Sequence, residues 1–67
     1  MDDSGLPTRL WTTEELAELL RLPEKTLAEW RHKGTGPAFV RMGKHVRYRP
    51  EDIAAWLDAS TEGQLAA

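Results

Sequence analysis

Between Lys25 and Arg49 lie the residues whose chemistry stands out: Lys25, Arg31, Lys33, Arg41, Lys44, Arg47 and Arg49, seven of the nine cations, with His32, His45 and one acid, Glu29. That segment carries a formal charge of +6. On either side the sign reverses, because residues 1–24 hold six acids against Arg9 and Arg21, and residues 50–67 hold four acids and no cation, −4 in each case. The net charge of −2 therefore conceals a basic middle, and cations grouped in this way suit a polyanion.

Other chemistries are less well supported. His32 and His45 are possible metal ligands, but with no cysteine, no third histidine and no HxxxH spacing, no metal site is expected. Glu14, Glu15 and Glu18 could serve acid–base chemistry, yet acids in the first turn of a helix are accounted for by its dipole. Trp11, Trp30 and Trp56 could stack on exposed bases, but each falls on an apolar helical stripe or beside a helix start, which makes them core residues. Sixty-seven residues make one domain with a small core and no room for a catalytic cleft, so neither an enzyme nor a cofactor is expected. No apolar run approaches the ~20 residues of a membrane span, and the N-terminus lacks the pattern of a signal peptide. Together these features predict a cytoplasmic protein with no membrane partner and no small-molecule ligand.

The elements that must hold the basic segment are legible from period and caps. Met1 to Arg9 reads as a flexible arm, residues 10–59 as the folded domain and residues 60–67 as a flexible tail. Thr12 and Glu15 form a capping-box pair ahead of the stripe Leu16, Leu19 and Leu20, and Trp11 stands where it can staple to Leu16. Pro23 ends that helix region and should open a second helix running to Lys33, with Gly34 as its left-handed stop. Two helices joined by so short a turn form a helix-turn-helix. At 100° per residue, with Leu27 at 0°, Trp30 falls near −60° and Arg31 near +40°, whereas Lys25, Glu29 and His32 fall on the opposite side. Phe39–Met42 and His45–Tyr48 read as strands of a hairpin, with Gly43-Lys44 in the order of a type II′ turn. Val46 and Tyr48 should share one face, and His45, Arg47 and Arg49 the other. Pro50 opens a third helix whose stripe is Ile53, Trp56 and Leu57.

The segments WTTEELAELL, TLAEW and FVRMGKHVRYRPEDIAAWL, and within them Thr12, Glu15, Thr26, Gly43, Arg47 and Trp56, resemble excisionase-type and MerR-like winged helix-turn-helix domains. The resemblance covers Leu10 to Leu57 and implies a mainly α fold with a small β-hairpin wing, the second helix in the major groove of DNA and the wing along the backbone or in the minor groove. Two residues depart from the family pattern. Arg21 stands where glycine is usual, so a left-handed turn there would cost roughly 1 kcal/mol, and Pro23 stands where a capping serine is usual.

On this basis Lys25, Glu29 and His32 are expected at base edges, with Ala28 near a thymine methyl. Arg31, Lys33, Arg41, Lys44, Arg47 and Arg49 are expected on phosphates. Thr26 and His45 complete the expected contact set. The resemblance implies an excisionase, or recombination directionality factor, that binds repeated sites on double-stranded DNA, bends it and directs an integrase, with neighbouring copies of itself as possible partners. A small promoter-binding regulator of the same fold and a protein–protein adaptor with a basic patch are the alternatives. With ten residues after Leu57, a dimerisation helix and an effector domain are not expected.

Overall fold

In the computed structural model, residues 9–62 are described, and the element order is β1 (Trp11–Thr12), α1 (Thr13–Leu20), α2 (Glu24–Lys33), β2 (Val40–Met42), β3 (His45–Tyr48) and α3 (Pro50–Ser60). Most of the expected arm and tail thus lies outside the described residues, while α3 itself extends through Ser60.

Helix α1 starts as its caps dictate. The Thr12 hydroxyl accepts from the Glu15 N–H at 3.0 Å and the Glu15 carboxylate accepts from the Thr12 N–H at 2.9 Å, so both halves of the capping box are made. Its other end is left-handed at Arg21, with φ 60° and ψ 43°. The Arg21 N–H donates to the Glu18 carbonyl at 3.2 Å and the Leu22 N–H to the Ala17 carbonyl at 2.9 Å, which is the Schellman arrangement. Satisfying two terminal carbonyls offsets the roughly 1 kcal/mol that a left-handed arginine costs. Helix α2 begins one residue later than the sequence suggests. Pro23, at φ −66° and ψ 148°, is the extended N-cap rather than the first helical residue, and no side chain caps this end. Gly34, at φ 79°, supplies the stop at the other end.

The sheet has three strands where a hairpin was expected. β1 pairs antiparallel with β3, Trp11 opposite Tyr48 and Thr12 opposite Arg47, giving the order β1-β3-β2. A two-residue strand that is also a helix entrance has no alternation of its own, so its pairing was invisible in the sequence. β2 starts at Val40 rather than Phe39. It pairs with β3 through a two-residue turn at Gly43-Lys44, in which Gly43 has φ 61° and Lys44 is not left-handed, as type II′ requires.

Leu16, Ala17, Leu27, Tyr48 and Ile53 form the buried core, with Trp11, Leu20, Trp30, Phe39 and Val46 packed against it. Trp30 and Trp56 join α2 to α3 with ring centroids 5.2 Å apart, so the tryptophans are packing residues. Two stripe residues are corrected: Leu19 is 52% and Leu57 42% exposed. The buried arc of α1 is centred between Leu16 and Ala17, which turns Leu19 outwards, and α3 packs through its Ile53–Trp56 side. Three helices and a small three-stranded antiparallel sheet, with α1 and α2 as the motif and β2–β3 as the wing, constitute a winged helix-turn-helix.

Candidate nucleic-acid interface

Helix α2 is held by its inner side. Leu27 is fully buried and Trp30 lies against Trp56, so the opposite side is presented to solvent. There Lys25, Ala28, Glu29, His32 and Lys33 line one shallow open depression of about 350 Å³. The structure thus brings together five of the sequence-selected residues on a single exposed helix face. Lys25 supplies donors only, Glu29 acceptors only, and His32 a donor and an acceptor in its neutral form, a mixed set able to meet base edges. Thr26, half-buried on the flank beside Leu27, stands at the edge of this face.

Arg31, expected on phosphates, is turned inwards in the chain. It is half-buried, and its Nη1 donates to the Tyr48 hydroxyl at 2.8 Å and to Thr13 Oγ1 at 3.3 Å. The guanidinium therefore ties α2 to the start of α1 and to β3, and serves the hydroxyl of a tyrosine that is only 1% exposed. The signal was present in the sequence, since Arg31 falls within about 70° of the centre of the packed face of α2 rather than opposite it. What the sequence did not carry was the partner, because Tyr48 meets Arg31 only through the fold.

The hairpin cations divide between two faces. Paired residues in an antiparallel ladder share a face, so Arg41, opposite Val46, lies on the same side of the sheet as Val46 and Tyr48. Arg41 lays its guanidinium 5.5 Å from the Phe39 ring centroid, at the margin of the core. Arg47, opposite both Thr12 and Val40, and His45, opposite Met42, occupy the other side. Arg47 is half-buried, and its Nη1 donates to the Val46 carbonyl at 2.8 Å. Lys44 is exposed at the tip of the turn. Arg49 caps α3 and has its Nη1 3.4 Å from the Asp52 carboxylate, a loose surface pair.

Apart from Glu24 and Glu29 on α2, the acids of these elements sit elsewhere. Glu14, Glu15 and Glu18 are on α1, and Glu51, Asp52 and Asp58 on α3. The Thr12 backbone N–H, and after it the Arg9 guanidinium at 3.0 Å, hold the Glu15 carboxyl below the ordinary glutamate range. Among the described residues no cluster of His, Asp or Glu is arranged to hold a metal, and no helix is long and apolar enough to cross a membrane.

A family model described as a helix-turn-helix domain matches residues 12–61, from the first capping threonine to just past α3. That family includes excisionase-like small DNA-binding domains. No curated protein and no solved structure matches the chain.

Proposed function

This chain belongs to the helix-turn-helix domain family, which implies DNA binding, and from that premise we propose a sequence-specific double-stranded DNA-binding protein that acts as an excisionase. In this reading it is a non-enzymatic recombination directionality factor that occupies repeated sites, bends the DNA and directs an integrase. The observation that carries the DNA-binding part is the exposed α2 face of Lys25, Ala28, Glu29, His32 and Lys33, set apart from the acids of α1 and α3. The excision role rests on the resemblance of WTTEELAELL and FVRMGKHVRYRPEDIAAWL to excisionase domains and on a family that includes them.

Helix α2 enters the major groove, where Lys25, Glu29 and His32 meet base edges and Ala28 and Thr26 fill the space beside them. The wing follows the backbone. With Arg41 on one face of the hairpin, Arg47 and His45 on the other and Lys44 at the tip, a wing seated in the minor groove meets a phosphate strand on each side. Lys33 and Arg49 add phosphate contacts, while Arg31 serves mainly to hold α2 against Tyr48. One such module covers a DNA interface of about 600–1,000 Å² of protein surface, so repeated sites and neighbouring copies supply what a single copy lacks.

The test is a titration of duplex DNA from the element that carries the gene, at several salt concentrations. Five neutralised phosphates give a slope of log K against log salt of about −4 to −5. Replacing Lys25, Glu29 and His32 by alanine should lower discrimination between cognate and scrambled duplex by roughly 1–3 kcal/mol per lost base contact. Arg47→Ala should weaken both duplexes together and make the slope shallower by about one. Stimulation of excision by an integrase in a reconstituted reaction tests the role. Binding without stimulation would assign the protein to promoter regulation, and no salt-dependent binding at all would leave the adaptor.

A further inference from the structure

The face formed by α1 and α3 carries a second surface that the DNA-binding reading does not use. Trp11, Leu19, Pro50, Ile53, Ala54 and Leu57 line an apolar groove of about 150 Å³, to which neither α2 nor the β2–β3 hairpin contributes a residue. Leu19 and Leu57, the two residues of the expected helical stripes that the core leaves out, form part of its walls. The groove is bordered by acid. Arg9, Glu15 and Glu18 line an adjoining depression together with Trp11 and Leu19; the Arg9 guanidinium lies over the Trp11 ring and pairs with Glu15 at 3.0 Å, so the net negative charge on this side is that of Glu18. On α3, Asp58 and Glu51 are the next positions around the helix beyond Ala54, at about 40° and 60° from it.

A groove this small lies below the ~300 Å³ of ordinary small-molecule sites, so it suits a side-chain knob better than a ligand. Two helices flanking an apolar trough form the surface on which a third, amphipathic helix lays its apolar face, with anchors at i, i+3 or i+4 and i+7. The acidic rim selects among such helices by charge. A second copy using the same groove would set acid against acid across the two-fold axis. We propose that the α1–α3 groove is a docking site for a partner protein's amphipathic helix that carries leucine-type anchors flanked by lysine or arginine. Because the groove and the α2 face share no residue, such a partner can be held while DNA is bound.

The probe is an 18-residue amidated peptide with leucines at i, i+3, i+4 and i+7 and lysines on their flanks, compared with the same peptide bearing glutamates in place of the lysines. Binding is followed by amide chemical shifts of the whole chain. The lysine peptide should shift Leu19, Ala54, Leu57 and the Trp11 indole, and leave Lys25, Glu29 and His32 unmoved. The glutamate peptide should bind at least tenfold more weakly. Leu19→Ser with Leu57→Ser, both at exposed positions, should also weaken the lysine peptide at least tenfold while circular dichroism and DNA affinity stay unchanged. Equal affinity for the two peptides, shifts centred on α2, or undiminished binding to the serine variant would overturn the proposal. Concentration-dependent sedimentation with the same groove shifts and no peptide would overturn it too, by giving the groove to a second copy, whose Met42 is flanked by Arg41 and His45. Groove shifts caused by deleting residues 63–67 alone would give it to the chain's own end and equally overturn it. DNA binding is measured separately in every variant, so failure here leaves the α2 reading intact.

Discussion

Removing one oxygen from the core should show what Arg31 does. In Tyr48→Phe the ring remains, with its 6.3 Å tilted contact to Phe39, so no cavity opens. What is lost is one hydrogen bond from a charged donor at 2.8 Å, a class worth about 1.5–3 kcal/mol. Arg31 is half-buried and keeps Thr13 Oγ1 at 3.3 Å, so its freed Nη1 can also turn to water, which puts the loss near the lower end, about 1.5 kcal/mol. For a domain of this size that lowers Tm by roughly 6–12 °C. Arg31→Met keeps an unbranched stem but leaves the Tyr48 hydroxyl, on a residue 1% exposed, without its donor, at a cost of about 1–3 kcal/mol. Because both changes break the same bond, the double variant should lose less than the sum of the two, with a coupling of about 1–2 kcal/mol. Urea unfolding followed by tryptophan fluorescence measures all four proteins at a common m-value. In parallel, Arg31→Met should leave the salt slope of DNA binding unchanged. If Tyr48→Phe changes stability by less than about 0.3 kcal/mol, the coupling vanishes and Arg31→Met flattens the slope, the inward guanidinium is not an anchor and Arg31 returns to the phosphate set.

Glu15 should make stability depend on pH. Its folded carboxyl titrates below its unfolded value, so its contribution is fully present above the unfolded pKa and is lost as pH falls through the folded one. Urea midpoints measured from pH 7 down to about pH 3 should therefore decline more steeply for the parent than for Glu15→Gln. Gly36→Ala should cost about 2–3 kcal/mol, because φ is +82° and a Cβ would stand 2.9 Å from Trp30 Cε3. Gly34→Ala, equally left-handed at +79° but with nothing within 4 Å, should cost only about 1 kcal/mol, and the difference in urea midpoint isolates the Trp30 contact.

Signals confined to neighbouring residues were legible. The Thr12–Glu15 capping box, the Gly34 stop, the Gly43-Lys44 turn and Pro50 at the start of α3 all depend on residues within a few positions of each other, and each formed as the sequence indicates. The exposed side of α2 followed from angle arithmetic for the same reason. Distant pairings were not legible. Trp11 meets Tyr48 across β1 and β3, and Arg31 meets Tyr48 across seventeen positions, so neither contact leaves a local period. Leu19 and Leu57 follow the apolar stripe yet face outwards, because periodicity gives the direction of a stripe but not how wide an arc the opposing elements cover.

The excess of cations on α2 and the wing, even with Glu24 and Glu29 on α2, against the acids of α1 and α3 gives the molecule an electric dipole as well as a charge. Beyond a Debye length, about 8 Å at physiological ionic strength, DNA meets little more than a weakly repelled −2 body. Within that distance the field of the duplex would exert a torque on this dipole, favouring the orientation in which the acidic side faces outwards. On the proposed interface, a molecule approaching with α1 and α3 foremost would be repelled, and one approaching wing-first would be drawn in. The duplex thus sorts orientations during the encounter, and fewer collisions are lost to the wrong face. Lowering the salt lengthens the range of this alignment and of the net repulsion together, so the association rate should rise less steeply than it would for a uniformly basic protein of the same size.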